Sequence, residues 1–169
     1  PDTVGVHQGV TAIGDFGGAG TATFPDFKEL VLPRAKTTVY SVVNITDGGV
    51  GAYGFGVSDL LPIGRLDMRR FFTMVEENRD VIKGLKSAVS IVLGEHFFML
   101  AKSLASSAGL PFVLHLGEFD DWVDYRPGDY KEISGRVLDM LEEGDIITHC
   151  YTPEPGRIFD ENGTLLPRV

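Results

Sequence analysis

The feature that most constrains the fold of this chain is a regular alternation between short apolar runs and longer segments with helical periodicity. Each apolar run ends in a glycine or a turn, and the longer segments space their apolar residues three and four apart. Val, Ile, Phe and Thr dominate the runs, as is typical of strands buried in a parallel sheet. The runs begin every ~30 to 40 residues, which is the length of a βα unit. The sequence therefore predicts an α/β fold.

Five strands and four helices are predicted from this alternation. The strands are Val10 to Asp15, Thr38 to Ile45, Val81 to Lys86, Pro111 to His115 and Asp145 to Cys150. The helices are Phe24 to Leu32, Met68 to Arg79, Glu95 to Ala108 and Tyr130 to Leu141. Gly109 and Gly144 stand where helix C-caps belong. The glycine-rich stretch Asp47 to Leu61 follows a strand end, as substrate-facing loops do in barrel enzymes.

The number of strands limits the possible architectures. A closed TIM-type (β/α)8 barrel needs ~200 to 250 residues, so this chain supplies about five of eight βα units. We expect residues 1–169 to form a single incomplete barrel domain, and Pro1 in place of a starting Met indicates processing or a cut chain. An open doubly wound sheet is the alternative, but the G-x-G-x-x-G turn typical of that fold is absent. The glycines of Gly17 to Gly20 lack that spacing and favour a strand-to-helix turn over a phosphate site.

The composition excludes several classes of partner. Lys and Arg number 15 against 24 Asp and Glu, and the net charge of −9 repels phosphate backbones and anionic membrane surfaces. We therefore expect a small-molecule substrate, with no nucleic acid and no membrane. A single cysteine, Cys150, excludes an internal disulfide framework, and a cytoplasmic location fits best.

Three predicted strands end in a polar residue that a core does not need. These residues are Lys86, His115 and His149. In barrel enzymes the active site lies at the carboxyl ends of the strands. One histidine at a strand end is most often bonded to a nearby carbonyl, but two histidines and a lysine on three strands favour a metal site.

A lysine can serve such a site only if its amine loses its charge. Burial achieves this by lowering the pKa. The neutral amine of Lys86 could then form a Schiff base with a carbonyl substrate, or take up carbon dioxide and become a carbamate, an oxygen ligand suited to divalent metals. The two histidines favour the carbamate. A surface lysine with a partly buried stem is the structural alternative.

At these positions the sequence resembles the amidohydrolase superfamily, in its amidohydrolase/deacetylase branch related to dihydroorotases. The resemblance covers nearly the whole chain and includes a segment from Asp160 to Pro167 that follows the family's D-x-x-G-x-L-x-P pattern. The segments that match barrel strands two to six are Gly9 to Asp15, Val43 to Ile45, Ile82 to Lys86, Gly109 to Gly117 and, most specifically, Gly144 to Tyr151.

The resemblance implies a metal-dependent hydrolase of acyl amide, ester or cyclic amide bonds. It implies a two-metal site, usually zinc, in which a carbamate on Lys86 bridges the ions while His115 and His149 bind one of them. The family's other half, an H-x-H pair and a general-base aspartate on other strands, is not found in this chain, so no catalytic residue is assigned. Ser87 and Ala88 replace a Val-Arg pair that is more usual in relatives, which puts substrate contacts from that arginine in doubt.

Other polar residues receive minor roles or none. Asn44 is a candidate hydrogen-bond donor to substrate, and Asp15 or Glu118 could orient a histidine ligand. Strand alternation points Cys150 away from the site and into packing. His7 and His96 lie on helical segments without a role.

Two other functions compete with a metal-dependent hydrolase. One is a Schiff-base barrel enzyme that uses Lys86 as nucleophile. The other is a catalytically incomplete fragment or scaffold, whose exposed sheet edges would favour association, including a homo-oligomer. We expect negligible hydrolase turnover from the chain by itself.

Overall fold

The computed structural model describes residues 1–49, 66–88, 94–116, 134–151, 158–160 and 162–167. Five strands form one parallel sheet in the order in which they occur along the chain. They are β1 (Ala12–Phe16), β2 (Thr38–Asn44), β3 (Ile82–Ala88), β4 (Phe112–His115) and β5 (Ile146–Thr148). A parallel sheet in sequential order is the arrangement of consecutive βα units in a barrel. The predicted α/β fold with five βα-type strands is therefore confirmed.

Besides a helical segment at 134–138, the described residues contain three α-helices between the strands, and the ends of these helices follow local chemistry. They are α1 (Phe24–Leu30), α2 (Met68–Glu77) and α3 (Gly94–Ser107), with short 3-10 turns at Val6–Gln8 and Leu32–Arg34. The Asp67 side chain caps α2 by accepting from the Arg70 N–H at 2.9 Å. At the other end the Asn78 amide donates to the Met74 carbonyl at 2.7 Å, which ends the helix two residues before the predicted Arg79. Helix α1 also ends two residues before the predicted Leu32, because Pro33 in the following turn has no backbone N–H to continue the helix.

The fourth predicted helix is shorter in its described part than expected. Residues 134–138 are helical, and the chain then turns instead of continuing to Leu141. Gly109 follows α3 with φ of 63°, as a C-cap glycine should. Gly144 also has a positive φ, 96°, but it lies in the turn before β5 and caps no helix, so that part of the prediction is wrong.

Two strand ends differ from the prediction where the candidate ligands lie. β3 continues through Lys86 to Ala88, so the lysine lies two residues inside the strand. β5 ends at Thr148, so His149 is the first residue beyond it. The cause is backbone conformation, because His149 has φ of 65°, a left-handed value that no strand residue adopts.

The two faces of the sheet are distinguished by what covers them. One face packs its apolar side chains against α2 and α3, and the main members of this core are Val43, Leu85, Phe112, Leu114, Phe71, Val75, Phe97, Phe98, Ala101 and Leu104. An irregularity in β3 allows Ile82 to join them, although Ile82 and Leu85 are three residues apart. Ser41 pairs with Ile82 while Val42 pairs with Gly84, so Lys83 is an extra residue that shifts the alternation.

The turns after β1 and β2 pack tightly on each other at the carboxyl end of the sheet. A Cβ on Gly20 would lie 1.8 Å from the Thr46 carbonyl oxygen, so only glycine fits there. The Thr21 hydroxyl donates to the Asp47 carboxylate, and the Ala22 N–H donates to the Asp47 carbonyl at 2.9 Å. The predicted loop Asp47 to Leu61 lies outside the described residues after position 49.

Among the helices in the described ranges, none is long and apolar enough to cross a membrane.

Candidate metal centre

The strand register places Lys86 and His115 on the face that the helices do not cover. Lys86 pairs with Val113, and Ala88 pairs with His115. Side chains two apart on a strand share a face, so His115 lies on the same face as Val113 and its partner Lys86. With strands about 4.8 Å apart and a rise of about 3.3 Å per residue, the register separates the Lys86 and His115 Cα atoms by about 8 Å.

The second histidine reaches the first through an unusual backbone turn. Regular alternation would point His149 to the opposite face from Thr148, the residue that pairs with His115. The left-handed φ of 65° redirects the chain, and the two imidazole rings stack with their centroids 3.8 Å apart and their planes 16° apart. A non-glycine residue rarely adopts this conformation, and such strain is concentrated at functional sites. The sequence indicated both histidines but not the turn that brings them together.

The amine of Lys86 is buried and bonded to the first strand of the sheet. The residue is 7% exposed, and its Nζ donates to the Phe16 carbonyl at 3.0 Å. Burial lowers the pKa of Lys86, and the nearby Asp15 carboxylate only partly opposes this. The structure thus supports a lysine whose neutral form is favoured relative to one in water, in contrast to the surface alternative.

Asp15 stabilises the turn after β1 and places a negative charge near Lys86. Its carboxylate accepts the Gly18 N–H at 3.1 Å. Burial raises the pKa of Asp15, while the bonds from the turn and the charge of Lys86 act against that rise. The sequence offers Asp15 as a possible partner of a histidine ligand, whereas in the structure its charged neighbour is Lys86.

The glycine N–H groups of this turn are bonded within the chain, so they are not directed outward to bind a phosphate. Gly17 donates to the Val42 carbonyl at 2.8 Å, Gly18 to Asp15, and Gly20 to the Thr23 hydroxyl at 3.0 Å. Phosphate loops need several such groups directed at the ligand. The structure therefore favours a strand-to-helix turn at Gly17 to Gly20 over a phosphate-binding site.

The remaining candidates fall into three groups. The Asn44 side chain is buried, and its Oδ1 accepts from the Thr46 N–H and hydroxyl at 3.0 and 2.9 Å, so this oxygen shapes the turn after β2. Cys150 is a free thiol packed against the core. Glu118 lies outside the described residues, while His7 and His96 are exposed on helical segments.

The side chains at this site provide enough ligands for a divalent metal only when Lys86 is counted as one of them. Within the described part of the chain, no three His, Cys, Asp or Glu side chains are grouped to hold an ion. Two imidazole nitrogens on one zinc ion lie about 3.4 Å apart when each Zn–N bond is about 2.1 Å. The ring centroids of His115 and His149 lie 3.8 Å apart with their planes 16° apart, so the rings are close, but they must rotate for both to direct a nitrogen at one ion. The two histidines therefore lie close enough to reach one ion after a side-chain rotation, and a carbamate on Lys86 would supply an oxygen.

Comparisons with known proteins point to one group of enzymes. A deacetylase of Agrobacterium fabrum is 30% identical over 170 residues, and the match covers 98% of this chain and 39% of that protein. A deacetylase of Brucella anthropi is 29% identical over 98% of this chain and 39% of its own length. One from Enterococcus faecalis is 27% identical over 95% and 41%. The chain thus spans about two fifths of the length of these relatives. It matches no protein-family model.

Solved structures agree with the sequence relatives. A dihydroorotase structure superposes with a TM-score of 0.72 at 27% identity, over 88% of this chain and 38% of the dihydroorotase. An adenine deaminase superposes with a TM-score of 0.75 over 99% and 43%, and at 24% identity this likeness concerns the fold alone. The predicted resemblance to this group of barrel enzymes and the partial barrel fold are confirmed.

Proposed function

We propose that this chain, which resembles the amidohydrolase superfamily in sequence and fold, contributes the Lys86, His115 and His149 ligands of a metal-dependent hydrolase. The observation that carries the proposal is the pair of stacked imidazoles on the face of the sheet opposite the core formed with α2 and α3. The buried amine of Lys86 lies on the same face, two residues behind His115 in register. Nothing in an ordinary α/β core needs three such groups together.

The relatives suggest the type of bond that is cleaved. Three of them are named deacetylases and one structural neighbour is a dihydroorotase. We infer hydrolysis of an acyl amide or ester, with a cyclic amide as the alternative. The substrate is a small molecule, since a chain with net charge −9 repels nucleic acids and anionic membranes.

Each residue has a distinct part in this proposal. His115 and His149 offer imidazole nitrogens to the ion. Lys86 gives up a proton and its bond to the Phe16 carbonyl, and its neutral amine then adds to carbon dioxide and releases a second proton to form the carbamate. A bound zinc or similar divalent ion would lower the pKa of a water molecule and polarise the carbonyl under attack. The complete site takes two ions, and we expect its general base outside this chain.

Zinc binding tests the histidine pair directly. We expect the metal-free chain to bind Zn²⁺ in a calorimetric titration, and both His115→Ala and His149→Ala to weaken binding by at least about tenfold because each removes one ligand. His96→Ala is the matched control, since this exposed histidine lies on α3. Equal zinc affinity in all four proteins would refute the assignment.

The carbamate is tested by carbon NMR. After equilibration with ¹³C-bicarbonate and zinc, we expect a carbamate resonance that disappears in Lys86→Met. Lys83→Met is the control, because Lys83 lies on the same strand with its amine exposed over the Tyr40 ring. A resonance that survives in Lys86→Met, or none in the parent chain, would contradict this part of the proposal.

A Schiff base remains the second candidate, because the lowered pKa of Lys86 would serve it equally well. That enzyme would need no metal, and borohydride would trap its carbonyl substrate on Lys86. A trapped adduct in the presence of a metal chelator would favour it over the hydrolase.

Turnover measurements test the assignment of the site to the two histidines. We expect negligible hydrolysis of an N-acyl amino acid by the chain alone. Hydrolysis that persists in both His115→Ala and His149→Ala would exclude the proposed site. The cytoplasmic location and a homo-oligomeric state stay predictions, the first open to cell fractionation and the second to light scattering.

A further inference from the structure

We propose that Thr148 is the positioning residue of the histidine pair, which it holds together through its hydroxyl group. It is the last residue of β5, it pairs with His115 across the sheet, and it directly precedes His149. Its meaning for metal binding rests on the function proposed above. Its effect on the packing of the two rings is tested separately, through the contact between the rings.

Thr148 is bonded to the chain on both sides of His115. Its hydroxyl donates to the Leu114 carbonyl at 3.0 Å, and its own carbonyl accepts the Leu116 N–H at 3.1 Å. Leu114 and Leu116 are fully buried, so their backbone forms a rigid frame around the first histidine. The end of β5 is therefore fixed directly against the residues that carry the His115 ring.

These two bonds also constrain the left-handed turn. The Thr148 carbonyl belongs to the peptide plane that precedes His149, so its bond to Leu116 fixes one side of the φ rotation of His149. The bond from the Thr148 hydroxyl to the Leu114 carbonyl also holds Thr148 through its side chain. A non-glycine residue stays in such a conformation only when its surroundings over-determine it.

The Thr148 hydroxyl matters to this end of the sheet because β5 is short and the Asp145 carboxylate anchors only the start of the strand. The strand has three residues, and among the described residues β4 is its only neighbour in the sheet. Valine has the same shape as threonine and is an equally good strand residue, so packing alone does not require a hydroxyl at this position.

The first test needs no metal. In the metal-free chain we expect a nuclear Overhauser contact between ring protons of His115 and His149, and we expect Thr148→Val to abolish it. Thr148→Ser retains the hydroxyl and should restore the contact. Thr38→Val is the matched control, an exposed threonine at the start of β2. Loss of the contact in Thr148→Val with recovery in Thr148→Ser supports the proposal, and a contact of equal strength in Thr148→Val overturns it.

Zinc affinity is the second readout, measured on variants whose urea unfolding shows a fully folded population. Changes beyond the metal ligands typically weaken metal binding by 10- to 100-fold, and we expect about tenfold for Thr148→Val and little change for Thr148→Ser. Should Thr148→Val fail to fold, Thr148→Ala provides the same comparison. Absence of zinc binding by the parent chain would refute the proposed function, whereas tight binding by Thr148→Val would refute only the role of Thr148.

Discussion

Asp145→Asn should destabilise the chain strongly, because the Asp145 carboxylate clamps three elements at the start of β5. It accepts the Phe112 N–H of β4 at 3.0 Å, the Glu142 N–H of the preceding turn at 2.8 Å and the Lys102 ammonium of α3 at 2.5 Å. The Asp145 and Lys102 side chains are only 7% and 13% exposed, so water replaces these bonds poorly.

The size of the destabilisation by Asp145→Asn depends on which of these hydrogen bonds asparagine can still form. Its carbonyl oxygen can still accept the Phe112 N–H, but the charge facing Lys102 is lost. A hydrogen bond to a charged group is worth about 1.5 to 3 kcal/mol, and Lys102 retains the 74% exposed Glu142 carboxylate as a weaker partner. We expect Asp145→Asn to lower the free energy of unfolding by about 2 kcal/mol, and Asp145→Ala by about 3 to 4 kcal/mol because the Phe112 N–H also loses its acceptor.

The pH dependence of this loss is a sharper test than its size. Burial by itself would raise the pKa of Asp145, but the bonds from Lys102, Glu142 and Phe112 outweigh it and lower that pKa below its usual value. A lowered folded-state pKa adds stability above the unfolded-state pKa, and this stability is lost as the pH falls through the folded-state pKa. The parent chain and Asp145→Asn should therefore converge in stability under acid conditions.

Urea unfolding followed by circular dichroism at pH 7 and at about pH 3 measures both quantities. A double-mutant cycle with Lys102→Met, which keeps the apolar stem, isolates the pair, and we expect a coupling of about 1 to 2 kcal/mol. A cost below about 0.5 kcal/mol at pH 7, or a cost that does not change with pH, would refute the reasoning.

Three further predictions concern the packing and the buried lysine. Gly20→Ala should cost about 2 to 3 kcal/mol, because its Cβ would lie 1.8 Å from the Thr46 carbonyl oxygen, and a melting temperature equal to that of the parent chain would contradict this. Phe112→Ala should cost about 3 to 5 kcal/mol in urea unfolding, since the ring is fully buried, and a cost near 1 kcal/mol would show that the core collapses around the gap. Without metal or bicarbonate, Lys86→Met should be more stable than the parent chain at pH 7. Burial lowers the pKa of Lys86, so its charge costs stability below that pKa and the gain should vanish as the pH approaches ~10. Lys83→Met should show no such trend, and equal pH profiles for the two variants would refute the effect of burial.

Much of the fold was predictable because strand and helix periodicity record which residues lose contact with water. All five strands and the positions of α1, α2 and α3 follow from that local pattern. The candidate ligands were predictable for a related reason, since Lys86, His115 and His149 are polar residues in apolar strands. Their chemistry is visible in the sequence before any contact is known.

The geometry of the site depended on pairing between distant segments, which local periodicity does not record. Lys83 shifts the alternation of β3 only because Ser41 and Val42 of β2 pair around it. His149 reaches His115 through a left-handed turn, where regular alternation would have separated the two rings.

The residues that support the site were hidden from the sequence for the same reason. Asp145 and Thr148 look like ordinary polar residues at the two ends of a short strand, and no local signal distinguishes them. Their partners Lys102 and Leu114 are 43 and 34 positions away along the chain. The sequence by itself therefore determined which elements form and which residues are candidates for the chemistry. Tertiary structure decided which of those residues meet, because hydrogen bonds between strands depend on a register that only the folded sheet establishes.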